Sequence, residues 1–200
     1  LLAPMSTIAG QLAFVVGSYH LLKHNKGKGV MIGHMDEMDP RVVTVIGAGV
    51  AGTQSILKAI DNKALVKVVD SSQSKLDDLK SKYGTDNVEY ILSSKDSIQV
   101  SVNESDLVIG SVYVVGKEAP KVVTKDMLSS MNPGTVMVDV SIDQGGCFET
   151  SKPTTHDSPT FLENDIVHYC VTNMPGAVPL TATEALNKVS LSYVEKLANN

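Results

Sequence analysis

The run Val42-Val43-Thr44-Val45-Ile46 passes without a break into Gly47-Ala48-Gly49-Val50-Ala51-Gly52, and a helical pattern follows at once. A strand that must become a helix within a few residues leaves the backbone little choice. Gly47 permits the tight turn, Gly49 lets a ligand come against the main chain, and Gly52 lets the new helix pack closely on the strand. The start of that helix presents N–H groups without partners and the positive end of its dipole, a place for phosphate oxygens. A second strand, Leu65-Val66-Lys67-Val68-Val69, ends at Asp70, 18 residues after Gly52. A carboxylate at that point accepts hydrogen bonds from ribose hydroxyls and repels a 2′-phosphate. Strand, glycine turn, helix and acid together predict a dinucleotide site that prefers NAD to NADP, with Gly47, Gly49, Gly52 and Asp70 in it. Capping of the next helix is the alternative for Asp70, and the two roles are compatible.

The remainder of the chain has the organisation that such a unit needs. Short β-branched runs near 42–46, 65–69, 88–92, 106–112, 135–140 and 166–171 alternate with helical patterns near 50–60, 73–82, 124–131 and, more weakly, 95–103. Parallel neighbours need long crossovers, so the pattern predicts an α/β fold: a Rossmann-type, doubly wound parallel sheet. Ahead of it, residues 6–23 place Ile8, Leu12, Val15, Val16, Tyr19 and Leu22 at helical spacing, with Ser6 as N-cap. Gly10, Ala13 and Gly17 give that helix a second, small-residue flank suited to close approach. Residues 25–40, with three glycines and charges of both signs, read as a linker. After Met174-Pro175-Gly176-Ala177-Val178-Pro179 the character changes, and 181–198 reads as a further helix. The expected division is therefore a nucleotide domain over 1–180 (leading helix 1–24, linker 25–40, βα core 41–180). Residues 181–200 would begin a segment returning toward a second domain.

Composition narrows the function classes. The 200 residues are 42% hydrophobic and carry a formal net charge of -5, with no basic stripe for nucleic-acid phosphates or anionic lipid. Neither nucleic-acid nor membrane partners are expected, since no apolar run approaches the ~20 residues that span a bilayer. Cys147 and Cys170 lack the spacing of a redox pair or zinc site and are expected to be reduced, buried thiols of a cytoplasmic protein. His20 and His24 share a helical face, for which a solvated surface is the expected reading; no metal site is predicted. The first residue is leucine rather than methionine, so a processed or trimmed piece is expected.

Ligands of open α/β sheets bind beyond the carboxyl ends of the strands. Ser93 and Ser94, Val112 and Tyr113, Ser141, Ile142 and Asp143, and Thr172, Asn173 and Met174 all follow predicted strands. Asp143 stands out because Gly145-Gly146 follow it and leave room for a ligand. Its carboxylate is placed to orient a substrate amine or an attacking water, or else it caps its own turn.

Five segments, Leu1-Leu2-Ala3-Pro4-Met5-Ser6, residues 46–52, Val138-Asp139-Val140-Ser141-Ile142-Asp143-Gln144-Gly145-Gly146, Thr154-Thr155-His156-Asp157 and residues 173–179, resemble those of alanine dehydrogenases. The resemblance runs through almost the whole chain. It implies reversible oxidative deamination of L-alanine to pyruvate and ammonia with NAD, in a homohexamer whose nucleotide domain is inserted in a substrate domain. Carried over by position, it implies that Ser6 contacts the cofactor, that Val50 and Ala51 line the pyrophosphate, and that Lys75 and Ser93 lie near the adenosine. Val112, Tyr113, Val140, Ser141, Ile142, Val171, Thr172, Asn173 and Met174 would enclose the ribose and nicotinamide, and Asp143 would be catalytic. Lys152 stands where relatives can carry an arginine, which exchanges a bidentate contact for a point charge. The histidine for proton transfer and the arginine and lysine that grip the substrate carboxylate would lie upstream of Leu1, so this stretch is expected to bind NAD and to be inactive alone.

Two rivals remain at this stage. The NAD domain of a proton-translocating transhydrogenase is disfavoured by Asp143 within its Ile-Asp-Gln-Gly-Gly run, and a free-standing NAD-binding module is the non-enzymatic alternative. A short-chain dehydrogenase lacks its Tyr-x-x-x-Lys pair, Tyr193 and Lys196 being one residue too close.

Overall fold

Alternation along the strands decides which helices cover which face. The computed structural model describes residues 3–33, 35–114 and 116–199; Leu1 and Leu2 of the leading segment lie outside the described residues. Seven strands, β1 (Val42–Ile46), β2 (Leu65–Asp70), β3 (Val88–Leu92), β4 (Leu107–Gly110), β5 (Val136–Asp139), β6 (Thr160–Glu163) and β7 (Ile166–Tyr169), form one sheet. Their order is β3-β2-β1-β4-β5-β7-β6. All pairs are parallel except β6 with β7. In β4, Leu107 and Ile109 face one core and Val108 the other; in β5, Val136 and Val138 part from Met137 in the same way. On the first face lie α1 (Ala3–His20), α2 (Val50–Asp61) and α3 (Gln73–Tyr83). On the second lies α4 (Lys95–Glu104), joined by Met127, Leu128, Met131 and Phe148.

The structure departs from the sequence expectations in four places. Residues 124–131 form no α-helix; Lys125–Ser130 is a 3-10 turn, ended before Pro133-Gly134, and burying Met127 and Leu128 already covers that part of the sheet. The unanticipated β6 turns into β7 through Asn164 and Asp165, both left-handed (φ 51 and 59), the backbone of a two-residue hairpin. Helix α1 begins at Ala3, so Ser6 lies inside the helix and not at its cap. Finally, α1 leaves Val15 and Tyr19 of its large apolar stripe more than half exposed, while the flank of Ala9, Gly10, Ala13 and Gly17 is buried in the close approach expected of small residues.

That choice of face follows from distance. A Cβ on Gly10 would overlap the Ala51 carbonyl of α2, and one on Gly17 would overlap the Leu107 side chain. The hydroxyl of Ser55 donates to the Gly10 carbonyl at 2.6 Å, which helps hold the crossing. Residues 25–40 are tied down rather than slack. Lys28 Nζ reaches Asp106 Oδ1 at 2.8 Å and the Ser105 carbonyl at 2.9 Å, and the Asp106 carboxylate also accepts from Val42 N at 3.0 Å. This cluster joins the amino ends of β1 and β4, the side away from the predicted site. The last helix, α5 (Pro179–Ala198), starts two residues earlier than expected and has no buried residue.

Candidate functional site

The order of the sheet places β1 beside β4, and the connections leave these two strands on opposite sides, so a crevice opens above their carboxyl ends. Gly47 turns the chain there with φ 93, a value that disfavours any side chain, and its N–H donates to the Val69 carbonyl at 2.7 Å. A Cβ on Gly52 would overlap the Gly47 carbonyl, so the third glycine is needed by the fold itself. Gly49 is different. Its φ is -74 and, its own chain neighbours apart, no atom of the described residues lies within 4 Å of where its Cβ would be. It caps α2 without a side-chain hydrogen bond, and the N–H groups of Val50, Ala51 and Gly52 open the helix with no carbonyl a turn behind them. Room for a ligand and a set of unpaired donors therefore coincide at one turn.

Asp70 ends β2 with 6% of its surface exposed. Its Oδ2 accepts from Ala48 N at 2.7 Å, its Oδ1 from Ser72 N at 2.9 Å, and Lys75 Nζ lies 3.0 Å from Oδ2. Burial pushes this carboxyl up, but the Ala48 and Ser72 N–H groups and the Lys75 ammonium outweigh it and hold it below the ordinary carboxylate value. Asp70 thereby buttresses the glycine turn through Ala48. The cap of α3 is Ser72, which accepts from Lys75 N, so the alternative reading of Asp70 is only partly met. Ser93 donates its N–H to the Asp70 carbonyl at 2.9 Å, which puts Asp70, Lys75 and Ser93 together at one end of the crevice.

Toward the other end, Val112 is half-buried and Tyr113 is 68% exposed. Ser141 Oγ donates to the Val112 carbonyl at 2.8 Å, joining the loops after β4 and β5. Val140 N donates to the Gly110 carbonyl, Ile142 is buried, and Asp143 is exposed on the 3-10 turn Ile142–Gln144. After β7, Val171 and Met174 are buried, Thr172 and Asn173 are exposed, and Asn173 takes a left-handed backbone with φ 54. Its carbonyl lies 3.2 Å from His156 Nε2, which brings the Thr-Thr-His-Asp run to this loop. Ser6, half-buried, lies one helical turn before Gly10 and thus on the approach to α2.

Lys152 is not brought into this group. Its ammonium lies 3.6 Å from Glu163 and 5.3 Å from the Phe161 ring centre, beside the edge strand β6. Two residues not singled out from the sequence matter instead. Asp139, fully buried at the end of β5, and Lys121, which donates to the carbonyls of Gly145 and Gly146, both hold the Asp143 loop. Lys121 had no readable signal, being 22 residues away along the chain. Asp139 had one, since a carboxylate ending an otherwise apolar strand has to find donors. Only one histidine of the early pair faces solvent as expected of both: His20 is buried against the Tyr19 and Tyr169 rings, and His24 is exposed.

A parallel, doubly wound sheet, a phosphate-ready glycine turn at the crossover and an acid ending β2 define a dinucleotide-binding domain of the Rossmann type. Residues 13–200 match the family model described as alanine dehydrogenase/PNT, C-terminal domain, and the chain belongs to that family. It is 48% identical over 199 residues to an alanine dehydrogenase of Halomonas elongata and 46% identical over 201 residues to one of Mycobacterium tuberculosis. Those alignments cover 100% of this chain but 53% and 54% of the relatives, so the chain spans about half their length. Its fold superposes on a solved L-alanine dehydrogenase with a TM-score of 0.96 at 43% identity, covering 100% of this chain and 55% of the other. A transhydrogenase from Sinorhizobium meliloti, at TM-score 0.83 and 22% identity over 98% of this chain and 56% of that one, shares the fold.

The family implies NAD as cofactor. The residues present fit it, because no other described residue fills the space over Gly49, the first N–H groups of α2 have no carbonyl a turn behind them, and Asp70 is held low. Among the described residues, no group of three or more His, Cys, Asp or Glu side chains is placed to hold a metal ion, and no helix is long and apolar enough to cross a membrane.

Proposed function

We propose that this chain is the NAD-binding part of an L-alanine dehydrogenase, which converts L-alanine, NAD and water to pyruvate, ammonia and NADH. The observation that carries the reading is the single crevice: the turn at Gly49 and Asp70 at one end, and exposed Asp143 on a tied loop at the other. NAD, when bound, supplies the hydride acceptor. Gly49, Val50 and Ala51 receive its pyrophosphate and Asp70 its adenosine ribose, with Lys75 and Ser93 beside them. Val112, Tyr113, Val140, Ser141, Ile142, Val171, Thr172, Asn173 and Met174 form the walls around the second ribose and nicotinamide, with Ser6 at the margin. Asp143 holds the substrate amine, or the water that attacks the imine, by accepting a hydrogen bond from its N–H or O–H.

Positioning supplies much of the rate of such a transfer. The groups that grip the substrate carboxylate and complete proton transfer would come from the further length that the relatives possess. The division proposed places the nucleotide domain at 1–180 and the return toward the substrate domain from 181. In the complete protein a homohexamer in the cytoplasm is the proposed state, the location supported by two buried free thiols.

Calorimetric titration tests the cofactor half. NAD should bind the chain and NADP more weakly, and Asp70→Ala should lower NAD affinity by ~10–100-fold, the worth of hydrogen bonds to a charged acceptor. Binding of neither cofactor at millimolar concentration would sink the assignment. For the enzymatic half, alanine-dependent NADH formation is measured for this chain and for the full-length protein. Activity in the second alone is expected, and equal turnover by both would refute the division of the active site.

A further inference from the structure

Among the described residues, Asp139 is the one side-chain carboxylate with no exposed surface, and no cation lies against it. Such a group is costly to bury unless donors surround it. Oδ1 accepts from Ser141 N at 2.9 Å and lies 3.5 Å from the Cys147 thiol. Oδ2 accepts from Cys147 N at 2.8 Å, from Phe148 N at 3.2 Å and from the Ser151 hydroxyl. Burial pushes this carboxyl up, against the pull of those bonds.

The partners are not scattered. Ser141 and Cys147 are the two ends of the segment that carries Asp143, so one carboxylate closes that segment into a ring. Within it, Gln144 N and Gly146 N donate to the Ser141 carbonyl and Gly145 N to that of Ile142. Gly145 and Gly146 take φ 86 and 76, and a Cβ on Gly146 would come within 2.8 Å of Asp139 Oδ2. From outside, Lys121 grips the carbonyls of Gly145 and Gly146, and the Ser141 hydroxyl ties the ring to Val112. The Asp143 side chain makes no hydrogen bond to another described residue, so only the backbone fixes where its carboxylate stands.

We propose that Asp139 is a positioning residue for the reaction, setting the place of Asp143 by clamping both ends of its loop, with Lys121 as the outer tether. This rests on the reading of Asp143 as catalytic. It also explains why an acid ends a buried strand where an apolar residue would pack at less cost.

In Asp139→Asn an amide NH2 replaces one acceptor oxygen and faces an N–H group in either orientation, so one end of the ring is released. In the full-length enzyme, displacement of a catalytic group by about 1 Å costs on the order of 100-fold in kcat. NAD affinity, to which Gly49 and Asp70 contribute at the far end of the crevice, should change much less than kcat. The decisive measurement is the cycle of Asp139→Asn, Asp143→Asn and the double variant, reading kcat, alanine KM and NAD Kd at a temperature where all are folded. A residue acting through Asp143 adds no further loss of kcat once Asp143 is replaced. A merely structural residue multiplies its loss in both backgrounds, and that result, or an unchanged kcat in folded Asp139→Asn, overturns the proposal. If Asp139→Asn does not fold, Ser151→Ala and Lys121→Met, which each release one tether, replace it in the same cycle and are judged by the same rule. Should Asp143→Asn alone keep full kcat, the reading of Asp143 fails, and the positioning role with it.

Discussion

At the scale of single residues, the three glycines of the turn separate the needs of the fold from those of the ligand. Gly52 and Gly47 are required by the protein's own backbone, whereas no other part of the described residues fills the space beside Gly49. Gly49→Ala should therefore leave the melting temperature of the free chain unchanged and weaken NAD by ~10-fold or more, the 1–3 kcal/mol of an overpacked contact. Gly52→Ala should instead lower the melting temperature, because the clash is with a carbonyl that cannot give way. Scanning calorimetry with and without NAD distinguishes the two; loss of stability in Gly49→Ala would show that the empty space is not there.

Two buried imidazoles make a second residue-scale test. His168, fully buried, has Thr150 Oγ1 2.8 Å from Nε2 and the Ile166 carbonyl 3.1 Å from Nδ1, and stacks on Phe161. His20 has no partner for its Nδ1. Burial lowers both pKa values from the ordinary 6.5. The unfolded chain then takes up protons near pH 6.5 while the folded one resists, so their stability is present above that pH and drains away as pH falls toward the lowered folded values. Melting temperature should drop between pH 7 and pH 5, and His20→Phe, which removes an unpaired polar atom from a ring-lined position, should make the drop shallower. A steeper drop in that variant would contradict the assignment.

Among the elements, α1 shows how size overrides amphipathicity. Large apolar residues at helical spacing pointed to one face, yet the sheet and α2 approach so closely that only the Gly10–Ala13–Gly17 side fits. Alanine is the better helix former by ~1 kcal/mol. Gly10→Ala should nevertheless destabilise by about 2 kcal/mol, because its methyl group would enter the Ala51 carbonyl. Chemical denaturation gives the value directly, and a stabilised variant would mean that the helices part easily. The small-residue flank marked in the sequence where a close approach was possible, but periodicity does not report the distance to the neighbour that decides which flank is buried. The hairpin of β6 and β7 was missed for a related reason. Four residues carry too weak an alternation to mark a strand, and only the Asn164-Asp165 pair, read as a left-handed turn, would have announced it.

For the whole molecule, the unsatisfied surface is α5. It has no buried residue, and Leu180, Leu191, Tyr193, Val194 and Leu197 are exposed, the last at 78%. Short of tertiary packing a helix of this kind is marginal in water. Amide exchange in α5 of the isolated chain should be far faster than in β1, β4 and β5, and removal of 181–200 should leave NAD affinity unchanged, since no crevice residue lies beyond Met174. A loss of NAD binding on that truncation would place α5 inside the nucleotide site and refute the proposed division.

What the sequence determined by itself is the local chemistry that needs only neighbours in the chain: a strand, three glycines, a helix start, and an acid at the end of the next strand. Turn geometry and strand alternation are short-range rules, so β1, α2, β2 and the places of Gly47, Gly49, Gly52 and Asp70 at the turn and strand end were legible, as was the doubly wound class. What only the tertiary structure decided is how distant groups share one place. Asp139 meets Ser151 and Phe148, Lys121 meets Gly145 and Gly146, and Lys152 turns to Glu163 rather than to the crevice. Such partnerships are set by which strands lie side by side and how closely helices can approach, and close packing fixes these only when the whole chain is folded.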